Sequence, residues 1–385
     1  MIARQLALEI VSRSKEFRLQ YAVENLLASG HRALLEQAIT DARASGDLSV
    51  EAIKKFMDTR LDQLRQKPLV RYDVVIPLSF NLFYVGPDMI SKNVNVNIGG
   101  NEIILGPLGR LAPQSLSETA KSGSKRSHLD PMIAALSVKV QARDSYFAAQ
   151  KAWPHANVLA SMIEFCHSWR QMMKFPPMPM GGVRLQNCAI VVDNQKLVDT
   201  YGRLESIEDT PLGLGLRFKE VWSEVEQLES RLRESEKVGP RPVASTILEA
   251  LQIYGAAVNE LDPNFAVLRF WIGLEKMMGI GQDIRESHVS SRLKSAFRNK
   301  PQIWDYEIER LQEQRNKMVH RGVMQATPED AYFAKLLYGL TLGLLLEYSS
   351  KYSKVESITA SFDLGNRDGD TLSEVRAAVE HLLGT

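Results

Sequence analysis

Cysteine is nearly absent: Cys166 and Cys188 are the only two in 385 residues. Two isolated thiols make neither a disulfide framework nor a zinc site, and each is expected to be buried as a small apolar side chain. Charge imbalance is also absent. The 47 Lys and Arg against 46 Asp and Glu leave a net charge of +1, so no global field draws the chain to nucleic acid or anionic lipid, and any such contact must be local. No hydrophobic run is long enough to span a bilayer. The most apolar stretch, "LLYGLTLGLLLEY", has an uncharged core shorter than the roughly 20 residues a spanning helix needs. The N-terminal "MIARQLALEIVSRSKEFRLQ" carries Glu9 and Lys15 inside its apolar pattern, unlike a signal peptide. A cytoplasmic protein with no membrane partner is expected. No internal repeat is present. The Gly-x-Gly of "GLGLRF" lacks the strand–loop–helix context of a phosphate loop. His128, His155 and His167 show no metal-ligand spacing, and no cofactor or metal is expected.

What is present is an ordinary globular composition, 44% hydrophobic and 24% charged. The length points to two or three domains, because single cores stop growing at about 250–300 residues. Residues 1–66 read as helices from apolar positions at three- and four-residue spacing. β-rich segments follow: "VVIPLSFNLFYVG", then "VNVNIGGNEIILG" with a hairpin turn at Gly99, Gly100 and Asn101. "LAPQSLSETAKSGSKRSHLDP" reads as an exposed loop with a basic patch. "ALSVKVQA" and "VRLQNCAIVVD" are strand candidates. A helix lies between them, with Pro154 kinking it or marking its start, and "KFPPMPMGG" is an extended linker. Residues 67–237 therefore read as an α+β domain. It closes on an amphipathic helix with Val221, Val225, Leu228 and Leu232 on one face. Residues 243–350 are helical almost throughout. In the tail, 351–385, "SITASFDL" alternates like a strand and "DTLSEVRAAVEHLL" reads as a closing helix with a capping box at Thr371 and Glu374.

The segment "EQRNKMVHRG", residues 313–322, carries the functional question. At 100° per residue, Trp304, Ile308, Leu311, Met318 and Val319 lie within about 60° of Arg315. Arg315 thus sits in a buried stripe. A guanidinium is costly to bury unpaired, so it must find a carboxylate or a solvated pocket. Asn316 and His320 share a different face one turn apart, where the amide could orient the imidazole. Gly322 follows as a helix-ending glycine, and the last turn, which holds His320, is where the helix dipole favours a cation. A fixed cation beside a titratable ring can bind a phosphate and move a proton. A paired core arginine with an unrelated surface histidine is the competing reading of the same spacing.

"RNKMVHRG" resembles the Arg-Asn-x-x-x-His motif of the HEPN superfamily. The order of segments over 243–350 resembles its Apea-like branch: "ASTILEALQIYGAAVNEL", "NFAVLRFWIGLEKMMG", a basic connector, the motif helix, and "DAYFAKLLYGLTLGLLLEY". The resemblance implies that 243–350 form a C-terminal HEPN-type antiparallel helical bundle, which, behind the N-terminal mixed α/β region read from its own segments, makes a mainly helical α+β protein. It implies a metal-independent endoribonuclease acting as a homodimer, with a composite site across two motif helices. Arg315 would hold the scissile phosphate, His320 would act as general acid–base and Asn316 would orient the site. The products would be 2′,3′-cyclic phosphate and 5′-hydroxyl ends. An effector of bacterial antiviral defence or a toxin-like system is implied, with the N-terminal region binding a regulatory protein or phage trigger.

Glu275, in "FWIGLEKMMG", matches the acidic residue that this branch often carries on an earlier helix. A largely buried carboxylate there needs a cation, and Arg315 is the candidate. The connector "HVSSRLKSAFRNK" holds Arg292, Lys294, Arg298 and Lys300 and no acid. It reads equally as an RNA-backbone surface or as a solvated helix face. Lys317 and Arg321 flank the motif and could touch phosphates. The alternative to an enzyme is a non-catalytic HEPN interaction or dimerisation module.

Overall fold

The computed structural model describes residues 28–81, 94–98, 100–112, 133–170, 181–186, 188–202, 218–236, 243–279, 287–299, 301–349, 351–352 and 355–365. Among the described residues the fold is mainly helical α+β with one six-stranded sheet. The chain divides into two compact units. One comprises residues 1–77, 88–156 and 186–208, and the other 78–87, 157–185 and 209–385.

The first unit opens with two helices, α1 (Ala28–Ala44) and α2 (Val50–Gln66). Leu35, Ala38 and Ile39 of α1 pack with Ile53, Met57 and Leu61 of α2, and Arg60 pairs with Asp41 at 2.5 Å. Six strands follow: β1 (Val70–Asn81), β2 (Val94–Ile98), β3 (Asn101–Pro107), β4 (Ile133–Ala142), β5 (Cys188–Asp193) and β6 (Lys196–Gly202). Their order is β2-β3-β4-β1-β5-β6, and the pairings β2–β3, β3–β4, β1–β5 and β5–β6 are antiparallel. The expected hairpin forms between β2 and β3, with Gly100 at φ +77°, a conformation open to glycine because it lacks Cβ. A short helix, α3 (Leu108–Leu111), places Leu108 against Val75, Ile133, Ala135, Cys188 and Ile190 on one sheet face. Both cysteines are buried and free, and burial pushes the Cys188 thiol up to about 11. Helix α4 (Ser145–Arg170) contains Pro154 in its interior rather than at its start.

The second unit holds the end of α4 and α5 (Phe218–Glu236), α6 (Val243–Val258), α7 (Pro263–Met277), α8 (Ser287–Ala296), α9 (Ile303–Arg321), α10 (Pro328–Tyr348) and α11 (Val355–Gly365). The apolar face of α5 is buried through Val221, Val225, Leu228 and Leu232. The rings of Tyr254, Phe270 and Tyr338 meet with centroids 5.5–6.1 Å apart, joining α6, α7 and α10. The Tyr338 hydroxyl donates to the Ala250 carbonyl at 2.7 Å. A Cβ at Gly273 would stand 2.3 Å from the Tyr338 ring, so glycine is what lets α7 and α10 approach this closely.

A buried carboxylate fixes the entry to this unit. Glu164 of α4 is fully buried, and its Oε2 accepts from the backbone N–H groups of Gly182 and Val183 at 2.9 and 2.8 Å. The same short strap pairs with the end of β1 through Leu78 and Leu185. Burial pushes the Glu164 carboxyl up, and the Lys335 charge and the two N–H donors hold it back. Burial pushes Lys335 down, and Glu164 opposes that. The compact unit containing the motif helix is therefore larger than residues 243–350. It draws in the second half of α4 and the strap at 181–185.

In the described elements one expectation is corrected and one strand is added. "SITASFDL" is not a strand: it lies in helix α11, where Val355, Ile358, Thr359 and Phe362 are buried at the three- and four-residue spacing of a helix. The strand β6 was not expected. Its polar sequence "KLVDTYG" gives little apolar alternation, and the turn before it uses Asn194 and Gln195 at positive φ without glycine. The helix at 370–383 with its capping box, the basic loop from 113 to 131 with His128, and "GLGLRF" except for its Phe218 lie outside the described residues, as does most of the linker, residues 174–180.

Candidate active site

Helix α9 carries the motif. Its buried side is Ile308, Leu311 and Met318, and Trp304 packs between Phe297 and Phe333 with centroids 5.9 and 5.4 Å away. Its C-terminal end is Gly322 in the left-handed region at φ +64°, with the Gly322 N–H donating to the Met318 carbonyl at 3.2 Å. Val319, expected on the buried stripe, is half exposed, and the whole last turn from 319 to 321 is exposed. The buried stripe ends at Met318, and His320 lies in the exposed turn beyond it.

Arg315 sits where the stripe is still covered. Its side chain is 12% exposed, and Nη2 meets Glu275 Oε1 of α7 at 3.0 Å. Glu275, at 19% exposure, is largely buried, as expected. The expected helix-to-helix ion pair is present. Trp271, one turn earlier on α7, donates its indole N–H to the same Oε1 at 3.0 Å. The carboxylate is thus held from its own helix while it holds the guanidinium. This indole is a site residue not among those expected from the sequence, although its i, i+4 spacing to Glu275 was visible. Asn316 accepts from Arg315 Nη1 at 3.1 Å. Its carbonyl oxygen therefore serves the arginine, and the imidazole of His320 has no hydrogen-bond partner among the described residues.

Helix α7 is itself well fixed. Asp262 caps it by accepting from the Asn264 N–H at 2.8 Å, with Pro263 in the first turn. Asn264 Oδ1 accepts from the Ala326 N–H at 2.8 Å, which ties the loop after the motif to the start of α7. At the next residue, Thr327 begins a capping box with Asp330 for α10.

Exchanging Glu275 for glutamine keeps an acceptor for the Trp271 indole but removes the charge that Arg315 faces. Stability is expected to fall by about 1–3 kcal/mol, the usual range for hydrogen bonds to charged groups. Thermal denaturation checks this, and an unchanged melting point would mean that the pair contributes nothing net.

The flanking cations divide. Arg292 is buried, pairs with Asp363 of α11 at 2.7 Å and donates to the Met278 carbonyl. It joins α8 to α11, and the RNA-facing role expected of it is not the one its contacts serve. Lys294 pairs with Glu309, and Lys317 with Glu313 at 2.8 Å along α9. Arg298 and Arg321 are exposed, and Lys300 lies outside the described residues. Among the described residues no cluster of three His, Cys, Asp or Glu side chains is arranged to hold a metal ion, and no helix is long and apolar enough to cross a membrane. Compared with known proteins, the chain matches no family model, no curated protein and no solved structure.

Proposed function

We propose that α6–α10 form a bundle of the HEPN type, Apea-like branch, and that the protein is an endoribonuclease. The observation that carries this is the pairing of Arg315 with Glu275 beside an exposed His320 on the same helix. A core arginine with no further task would need only its carboxylate. Here that carboxylate is also fixed by Trp271, and a free titratable ring lies five residues on. The exposed apolar side chains of Ile272 and Val319 lie close in sequence to Glu275 and Arg315, and they suit contact with a second copy of this helix pair.

The chemistry needs two proton transfers. The RNA 2′-hydroxyl attacks the adjacent phosphorus and gives its proton to a neutral His320 ring. The P–O5′ bond breaks, and the leaving 5′-oxygen takes a proton from the protonated His320 ring of a second copy. Arg315 offsets the charge that builds on the non-bridging oxygens. The products are a 2′,3′-cyclic phosphate and a 5′-hydroxyl. Restraint of this activity by the first unit, as in an effector of defence or a toxin-like system, belongs to the same reading.

The test is end-group analysis of RNA incubated with the purified full-length chain in the presence of a chelator. The expected result is fragments with 2′,3′-cyclic phosphate ends and no cleavage of the same sequence as DNA, which lacks the attacking hydroxyl. Fragments with 5′-phosphate ends, or RNA left whole both in the tube and in cells expressing the chain, would favour a non-catalytic interaction module.

A further inference from the structure

The first unit contains a cleft of about 810 Å³, within the size range of small-molecule sites, roughly 300–1,000 Å³. Four pieces of chain that are distant in sequence build it. Arg71 comes from β1, Asn101 and Glu102 from the start of β3, Lys139 and Gln141 from β4, and Lys151 and His155 from α4. All lie in one compact unit. The lining has three fixed cations, Arg71, Lys139 and Lys151, against one carboxylate, Glu102. That is a local excess of two positive charges on a chain whose total is +1.

The polar groups are pre-positioned. Lys139 is held by Glu102 at 2.7 Å, and Lys151 donates to the Gln141 carbonyl at 2.9 Å. An ammonium has three donors, so each retains donors for a ligand. Arg71 is exposed and makes no ion pair or hydrogen bond among the described residues. The Asn101 amide N–H donates to His155 Nε2 at 3.2 Å, which leaves the proton of the neutral ring on Nδ1. Burial lowers the His155 pKa, so the ring is a neutral donor rather than a fourth cation. Pro154 supplies an apolar wall beside these groups.

We propose that this cleft binds a small phosphate-bearing anion of up to nucleotide size, with Arg71, Lys139 and Lys151 on the phosphates. A planar guanidinium fork and two point-charge ammonium groups converging on one cleft suit adjacent phosphate groups. The lining has no Phe, Tyr or Trp for stacking a base, so the phosphates are the main groups recognised. The proposal stands on the first unit alone and does not depend on ribonuclease activity in the second.

Isothermal titration of the full-length chain with pyrophosphate and with ATP tests it, using wild type, Arg71→Ala, Lys151→Ala and, as a control outside the cleft, Lys351→Ala. The expected result is one-to-one binding of at least one of the two probes. Affinity should fall about tenfold or more in the two cleft variants and stay unchanged in the control. Arg71 and Lys151 are surface side chains, and unchanged melting points would show that the variants remain folded. Equal affinity for pyrophosphate and ATP would place recognition on the phosphates alone, as proposed. No binding of either probe, or equal binding by all four proteins, would overturn the proposal. So would binding of a short oligoribonucleotide that depends on Arg71 while neither small probe binds, which would make the cleft an RNA groove.

Discussion

Replacing His320 with alanine is expected to lower the initial rate of RNA cleavage by about 10²–10⁴-fold, the usual contribution of a general acid–base, while leaving stability within about 0.5 kcal/mol of wild type. The two parts of this expectation have separate grounds. The rate falls because the ring is the titratable group beside Arg315 on the motif helix. Stability holds because the imidazole is exposed, in a turn exposed on all sides, with no hydrogen-bond partner among the described residues. Arg315→Ala should behave differently. It removes the phosphate-binding charge and also strands Glu275, a largely buried carboxylate left with only the Trp271 indole. Both activity and melting temperature should fall. Initial rates on a labelled RNA, measured beside thermal melts, separate the two variants. A His320→Ala protein that cleaves at the wild-type rate would remove the catalytic role assigned to the ring.

Asp330→Asn is expected to be the most destabilising single substitution of an acidic residue in the second unit, at about 3–5 kcal/mol, the cost of breaking a buried ion pair. The Asp330 side chain is 3% exposed. Its Oδ2 accepts from the Thr327 N–H and from Gln314 Nε2, each at 2.8 Å, and its Oδ1 pairs with Arg310. One carboxylate thus caps α10 and holds two side chains of α9. Burial alone would push this carboxyl up, but the Thr327 N–H, Arg310 and Gln314 outweigh it and leave it below the ordinary value of 3.8. The sign follows. A depressed carboxyl stabilises the fold above its unfolded value, and that stabilisation is lost as pH falls through the folded value. Wild type should therefore lose stability below about pH 4, and part of that loss should be missing in Asp330→Asn. Urea denaturation at pH 7 and at pH 3 reads both effects. Equal losses for the two proteins between those pH values would show that Asp330 is not the group responsible.

Much of this was legible from residue spacing. The β2–β3 hairpin announced itself through Gly100 between alternating runs, the α5 face through four apolar residues, and the end of α9 through Gly322. The Arg315–Glu275 pair followed from the cost of burying either charge alone. Other features were hidden for physical reasons. The strand reading of "SITASFDL" began two residues after Val355. Without that first anchor, Ile358 and Phe362 pass for one face of a strand rather than steps of a helix. Arg292 looked like a phosphate-binding cation because its charge is visible in sequence and its partner Asp363, 71 residues away, is not. Thr327 and Asp330 have the spacing of a capping box, but nothing in sequence shows that the same carboxylate reaches back to α9. The cleft of the first unit is the least legible feature, since its lining comes from four separate pieces of chain.

The strap that seals Glu164 also bears on how such a protein can be inherited. A gene fragment limited to residues 243–350 would transplant the motif but leave behind the carboxylate on α4 that faces Lys335, together with the backbone amides that satisfy it. The recipient would acquire a buried lysine without the Glu164 charge that opposes the cost of its burial. Shuffling of this bundle between genes is therefore constrained at a point far upstream of the motif. A successful graft must carry the second half of α4 and the strap with it, so the heritable module is discontinuous in the chain.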